Sequence, residues 1–192
     1  MSLTIQTQTG VKRSRAFTHS LADIPGGGCI VVSELTQSTI AEGTPVGRDT
    51  NGKWHVVKTA ELAANAANDA TTYVVKKGHN LKVGDVIMAK TAGKAYAITA
   101  IADNVTSAAN DDITVGTTLG VAVSAGDVLM QAAAAGASGS AFKYAPLGLV
   151  NTSYDVEPNL CVAITTIGQV EAAKIPTLGS AVKGLLPLIN FI

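Results

Sequence analysis

Hydrophobic and polar residues follow one another in short runs along most of the chain, and turn-forming residues separate these runs. The runs at 29–33, 73–76 and 95–101 are rich in β-branched or alternating apolar residues, and each lies within two positions of a Gly or Asp, which is typical of strands. Asn51-Gly52 favours a type I′ turn and predicts a hairpin over residues 44–58, with Trp54 and Val56 on one face of the return strand. The pattern predicts a mainly β protein.

Two β-like blocks, at 26–58 and 142–192, are separated by a third. A stretch at 61–69, predicted as one or two helical turns or a loop, and an Ala/Gly/Ser-rich connector at 131–140 flank the middle block. We therefore predict a small β-barrel or sandwich host domain (26–58 plus 142–192) interrupted by a second, barrel-like insertion (59–141). Inside the insertion, a Gly-Asp turn followed by an apolar strand start occurs twice, at 83–88 and 125–130.

Residues 1–25 are predicted to form a flexible, extended N-terminal arm that becomes ordered against a partner. They are rich in Thr, Gln and Ser, show no sustained helix or strand period, and contain a basic cluster of Lys12, Arg13 and Arg15 beside Phe17. This cluster would either clamp an acidic, apolar groove on a partner or belong to an ordinary disordered terminus. At the other end, the apolar residues 185–192 would either complete the core sheet or dock on a neighbouring subunit.

Composition removes several classes of function. The 192 residues are 47% hydrophobic and 15% charged, with 14 basic and 14 acidic side chains, so no global field attracts nucleic acid or an anionic membrane. No signal peptide and no apolar stretch long enough to span a bilayer is evident, so we expect synthesis in the cytoplasm without export. Cys29 and Cys161 match no metal-binding spacing and are predicted to be buried apolar residues rather than a disulfide.

Candidate catalytic groups are isolated in the sequence. His19, His55 and His79 each lack neighbouring donors at metal-ligand spacing. No nucleophile elbow occurs, and the adjacent Asp111 and Asp112 would face opposite sides of a strand. The sequence therefore predicts no catalytic residues, no metal site and no cofactor, and a protein that is not an enzyme.

Four segments resemble the small decoration or head-fibre proteins of tailed bacteriophages. They are Gly43-Thr-Pro-Val46, the hairpin that ends at Gly52-Lys-Trp54, the strand Pro146-Leu-Gly-Leu-Val150 and the strand Ile167-Gly-Gln-Val-Glu171. The resemblance covers residues 26–58 and 142–192. It implies a homotrimeric virion protein that binds the major capsid protein on the capsid exterior and stabilises the shell or anchors a head fibre.

In that family an N-terminal arm lies on the shell, which makes Lys12, Arg13, Arg15 and Phe17 the candidate residues for contact with the capsid. Two other classes of function stay open. One is a carbohydrate- or ligand-binding β-module on a phage or cell surface, although Trp54 and four tyrosines are the main aromatic side chains available for stacking on sugars. The other is an enzyme subunit whose active site needs a partner chain.

Overall fold

The structure, a computed structural model that describes residues 15–192, is mainly β. Its first six-stranded sheet, sheet A, consists of β1 (Phe17–Asp23), β4 (Pro45–Arg48), β5 (Trp54–Val56), β12 (Pro146–Val150), β15 (Ile164–Val170) and β16 (Ile189–Phe191). The second, sheet B, consists of β6 (Thr59–Glu61), β7 (Thr72–Lys76), β8 (Val86–Met88), β9 (Ala95–Asp103), β10 (Asn110–Val115) and β11 (Val128–Gln131).

Short elements complete the fold. Two small ladders pair β2 (Gly28–Cys29) with β14 (Cys161–Val162) and β3 (Thr39–Ile40) with β13 (Tyr154–Asp155). Two 3₁₀ turns, Val32–Glu34 and Ala172–Lys174, and one five-residue helix, α1 (Ser180–Gly184), are the helical elements within residues 15–192.

Sheet A takes its strands from both ends of the chain, in the order β1-β15-β12-β4-β5. These neighbours are antiparallel, whereas β16 runs parallel to β15. One edge of β15 is shared, because β12 pairs with Ile164 and Thr165 and β16 pairs with Gly168 to Val170. The apolar C-terminal segment therefore completes sheet A.

Sheet B takes all of its strands from residues 59–131, in the order β6-β11-β8-β9-β10-β7. Every pair of neighbours is antiparallel. The two end strands approach each other through an isolated bridge between Leu62 and Val75. Within the described part of the chain, however, neither sheet is closed into a barrel.

The two sheets separate three apolar cores, and alternate residues of single strands enter different cores. Leu149 of β12 lies in a core between the sheets, whereas Val150 lies in a core on the far side of sheet A. Met130 of β11 enters the core between the sheets, and Leu129 enters a core on the far side of sheet B. The core between the sheets, here called the shared core, also receives Val182 of α1. Strands buried on both faces have continuous apolar sequences, which explains the runs in β8, β11 and β12.

The predicted hairpin over residues 44–58 is confirmed by the antiparallel pairing of β4 with β5. Its turn is not of type I′, because Gly52 has a positive φ of 82° and Asn51 does not. The carboxylate of Asp49 instead accepts the N–H groups of Asn51 at 2.9 Å and Lys53 at 2.8 Å. Asp49 therefore sets the turn geometry, as Asp commonly does in turns.

Other strand boundaries differ from the prediction. The run at 29–33 contributes only the end of β2 and then enters a 3₁₀ turn, Val32–Glu34, so it is not a long buried strand. Of the two alternatives predicted for 61–69, the structure contains the loop: Glu61 ends β6, and residues 62–69 contain no helix. Residues 17–23, within the segment predicted as an arm without strand period, form β1 along the whole length of β15.

The prediction for the cysteines is wrong. Cys29 and Cys161 are opposite each other in the β2–β14 ladder, both are exposed, and they form a disulfide. Register across a ladder cannot be read from the spacing of two cysteines that lie 132 residues apart. Closing a loop of this length in the unfolded chain corresponds to roughly 5 kcal/mol of stabilisation in the chain-entropy model.

Candidate functional site

The four residues predicted to contact the capsid do not all lie at the surface that the structure describes. Lys12 and Arg13 lie outside the described residues. Arg15 is exposed, and its guanidinium donates to the side-chain oxygen of Asn151 at 3.4 Å. Phe17 is only 8% exposed and packs in the shared core, and its contact with a partner stays a prediction.

The surface that follows Arg15 is the outer strand of sheet A. Residues 18–21 of β1 are exposed, and Leu21 is 78% exposed. Within residues 15–192 no strand pairs with the outer edge of β1. Unpaired edges present backbone donors and acceptors to which a partner strand can add. The exposed edge of β1 is thus a candidate contact surface.

A polar cluster fixes β1 from its inner side. Asp23 accepts hydrogen bonds from the hydroxyls of Thr165 at 2.6 Å and Ser20 at 2.7 Å, and these bonds hold its pKa below the ordinary value. The amide of Asn151 donates to the Thr165 hydroxyl at 2.7 Å. Because Thr165 is fully buried in β15, the cluster ties the exposed edge to the rigid centre of sheet A.

His55 lies in a second cluster, which the sequence did not predict. Its side chain is 6% exposed, with Nδ1 2.9 Å from a Glu34 carboxylate oxygen and Nε2 3.5 Å from an Asp49 carboxylate oxygen. The ring of Tyr144 stacks on the imidazole with centroids 3.9 Å apart, and its hydroxyl donates to Glu34 at 3.1 Å. Three segments that are distant in sequence, around Glu34, the 44–58 hairpin and Tyr144, therefore meet at one imidazole.

Charge and burial oppose each other at Glu34. Partial burial raises the pKa of this carboxyl, but the hydrogen bond with His55 and the nearby Lys143 ammonium outweigh burial, so the pKa lies below its ordinary value. Burial and the Glu34 charge both raise the pKa of Tyr144. The charged Glu34 carboxylate contacts both the Tyr144 hydroxyl and the His55 imidazole. It therefore links the segment around Tyr144 to the 44–58 hairpin.

A third polar group joins the two sheets. Lys58, only 3% exposed, lies between β5 and β6, and its ammonium is 2.8 Å from a carboxylate oxygen of Asp85. The other Asp85 oxygen accepts from the side-chain amide of Gln131 at 2.9 Å. The side-chain oxygen of Gln131 is buried without a hydrogen-bond partner. Buried charges need such partners, so this network constrains how sheet B meets sheet A.

The turn at 78–80 adds further contacts between the sheets. The side-chain oxygen of Asn80 accepts the backbone N–H groups of Thr36 at 3.0 Å and Gln37 at 3.2 Å. Beside it, His79 accepts the N–H of Leu81 through Nδ1, and burial lowers the pKa of this imidazole. A cavity of about 210 Å³, lined in part by Lys58, His79 and Asn80, lies at this junction.

Three of the five aromatic side chains considered for sugar stacking, those of Trp54, Tyr73 and Tyr144, are not exposed platforms. Trp54 is 6% exposed and packs in the core on the far side of sheet A, while Tyr73 is fully buried in the core beyond sheet B. Tyr144 uses one face to stack on His55. No observation of these side chains favours a carbohydrate site.

Two further findings concern the described residues only. No group of three or more His, Cys, Asp or Glu side chains between 15 and 192 is arranged to hold a metal ion. In the same range no helix is long and apolar enough to cross a membrane.

No protein-family model, no curated protein and no solved structure matches this chain.

Proposed function

We propose that the chain is a non-enzymatic structural protein of a tailed-phage virion. It binds the major capsid protein on the outside of the shell as a homotrimer, and it stabilises the shell or anchors a head fibre. The observation that carries this proposal is the exposed outer edge of β1, which directly follows the basic positions 12, 13 and 15. A free strand edge beside cationic side chains suits binding to a protein surface.

Two other features support this role. The exposed Cys29–Cys161 disulfide is of a kind that persists in oxidising surroundings, which fits a position on the exterior of a particle. A trimer that presents three modest contact sites on one rigid body binds a repetitive shell far more tightly than a monomer does. The capsid role therefore needs no large single interface.

We further propose that residues 59–141 are an insertion with barrel-like curvature in a host domain of residues 26–58 and 142–192. Sheet B takes all six of its strands from residues 59–131, which supports this division, as does the bridge between Leu62 and Val75 that brings its end strands together. The shared core and the Lys58–Asp85 ion pair argue that the insertion is held firmly in one orientation, with its far side outward.

Co-sedimentation with capsids of the encoding phage tests the proposed function. Deletion of residues 1–14, which leaves Phe17 and β1 in place, should reduce binding at least about tenfold, because each lost charged contact is amplified across a trimer. Arg15→Glu in the full chain should weaken binding less, and Lys53→Glu, at an exposed turn on the far edge of sheet A, is the matched control.

The proposal fails if the deleted and full-length chains sediment equally well with capsids. It also fails if sedimentation equilibrium shows a stable monomer at micromolar concentration, because the multivalent mechanism then has no basis.

A further inference from the structure

Lys58 differs from the other lysines that pair with carboxylates within residues 15–192. Its side chain is 3% exposed, whereas those of the others are 35–55% exposed. Its ammonium donates to one oxygen of the Asp85 carboxylate, and the other oxygen accepts the side-chain amide of Gln131, a residue that is 2% exposed. One carboxylate therefore holds a buried amine beside a buried carboxamide.

The backbone brings the same two side chains together. Thr59 pairs with Met130 in the antiparallel ladder of β6 and β11, and one position further the N–H of Gln131 donates to the carbonyl of Lys58 at 3.0 Å. Lys58 and Gln131 are thus opposite each other on neighbouring segments, and the Cβ atoms of opposite residues lie about 4.5–5.5 Å apart. Because both side chains contact Asp85, they extend on the same face. A lysine side chain is long enough to reach the amide carbon of such a neighbour.

The carboxylate between them is fixed by its own turn. The Asp85 oxygen that contacts Lys58 also accepts the N–H of Lys82 at 3.0 Å. The amide of Gln131, by contrast, is held through its nitrogen alone, since its side-chain oxygen accepts no hydrogen bond from residues 15–192. The amine and the nitrogen of the amide therefore lie on the two oxygens of one rigid carboxylate.

We propose that Lys58 and Gln131 react to form an isopeptide bond, with Asp85 as the proton carrier. The carboxylate takes a proton from the Lys58 ammonium, and the neutral amine attacks Cδ of Gln131. A second proton passes from the attacking nitrogen through Asp85 to Nε2, the bond between Cδ and Nε2 breaks, and the nitrogen leaves with both protons as ammonium. The products are one amide, one ammonium ion and the unchanged carboxylate, so atoms and charge balance without an oxidant or any other reactant.

The site has the features that this reaction needs. Asp85 is within hydrogen-bonding distance of both nitrogen atoms, as a group that acts first as a base and then as an acid must be. Opposite positions on a ladder give the two reacting groups a high effective concentration. Burial limits competing hydrolysis. The cavity of about 210 Å³ that Lys58 lines offers the ammonium a way out.

The bond closes residues 58–131, which contain all six strands of sheet B, into a covalent ring. It joins the two ends of this segment where they meet sheet A. The ion pair between Lys58 and Asp85 is the state before the reaction. The reaction is independent of the β1 edge and of the capsid role.

Intact-mass measurement of the full chain tests the proposal. After incubation of the folded protein at neutral pH, we expect a main species that is lighter by one ammonia, about 17 Da. A sample kept unfolded in urea should retain its full mass, because the unfolded chain does not hold the three groups together. A tryptic digest of the folded sample should contain residues 54–76 joined to residues 95–143, since cleavage after Lys58 is blocked and Gln131 lies in the second peptide.

Substitutions of similar size identify the reacting groups. Lys58→Met removes the amine and Gln131→Met removes the carboxamide, so each should abolish the joined peptide. Asp85→Asn cannot carry the protons and should slow the loss of mass at least about a hundredfold. Thermal unfolding checks that each variant is folded. Asn51→Ser is the matched control: a succinimide at Asn51-Gly52 also loses one ammonia, and this variant should keep the mass loss of the native chain.

The proposal is overturned if the folded native chain keeps its full mass, or if its digest lacks the joined peptide. It is also overturned if Asn51→Ser abolishes the mass loss, or if a folded Gln131→Met variant still shows it. Should a variant fail to fold, the mass and the digest of the native chain decide alone.

Discussion

The two Gly-Asp turns of sheet B have the same local structure but different surroundings. In the first, Asp85 accepts the N–H of Lys82 through its side chain at 3.0 Å, and Gly84 has a φ of 91°. In the second, Asp127 accepts the N–H of Ser124 at 2.8 Å, and Gly126 has a φ of 90°. Each turn leads into a strand, and the two strands, β8 and β11, are neighbours.

Only the first turn takes part in the junction between the sheets. Asp85 also binds the ammonium of Lys58 and the amide of Gln131, whereas Asp127 is exposed and forms no ion pair within the described residues. One local sequence thus produces one turn, in which the aspartate accepts a backbone N–H at both sites. The tertiary environment decides whether the aspartate also neutralises a buried charge, as Asp85 does for Lys58. Mutations at matched positions separate these two contributions.

The largest difference is expected between Asp85→Ala and Asp127→Ala. The first leaves Lys58 buried without a counter-charge and should lower the free energy of unfolding by about 3–5 kcal/mol. The second removes one hydrogen bond at an exposed turn and should cost about 1 kcal/mol. Urea titration of both variants measures the difference. Equal losses would show that the buried ion pair contributes nothing beyond the turn.

A smaller effect is expected when the cation is also removed. Lys58→Met in the Asp85→Ala background eliminates the uncompensated charge, so the double variant should be more stable than the sum of the single losses predicts, by about 0.5–3 kcal/mol. The same Lys58→Met change combined with Asp127→Ala should be additive. A double-mutant cycle by chemical denaturation distinguishes the two, and additivity in both pairs would contradict direct coupling between Lys58 and Asp85.

The smallest effect, and no difference between the turns, is expected from Gly84→Ala and Gly126→Ala. A Cβ at either position meets no atom within 4 Å, so the cost comes from the left-handed backbone alone. Each substitution should lower the free energy of unfolding by about 1–2 kcal/mol. Thermal denaturation compares them directly. A clearly larger loss for Gly84→Ala would mean that the backbone of the first turn is also constrained by the junction.

The sequence predicts those parts of the fold that depend on neighbouring residues. The mainly β character, the hairpin ending at Trp54 and both Gly-Asp turns follow from local pattern, and the structure contains them. The prediction of a type I′ turn at Asn51 is wrong because the Asp49 carboxylate accepts the N–H groups of Asn51 and Lys53 and so sets a different turn geometry. Local reasoning therefore located the turn but not its type.

Contacts between distant residues could not be predicted. Nothing in the sequence links His55 to Glu34 and Tyr144, and each histidine looked isolated because its partners come from other segments. The cysteine pairing failed for the same reason, since it depends on the register of β2 against β14. Phe17 was grouped with basic neighbours by sequence proximity, but strand alternation turns its side chain into the shared core.

The disulfide also determines how the molecule would respond to mechanical force. Tension applied between its two ends passes from β2 to β14 through the Cys29–Cys161 bond, so the residues between them carry no load. A separation of 132 residues corresponds to about 450 Å of extended chain, and force cannot extend this length until the bond is reduced. Sheet B is therefore mechanically shielded: under oxidising conditions a pull on the ends can unravel the outer segments but cannot extend the chain through sheet B.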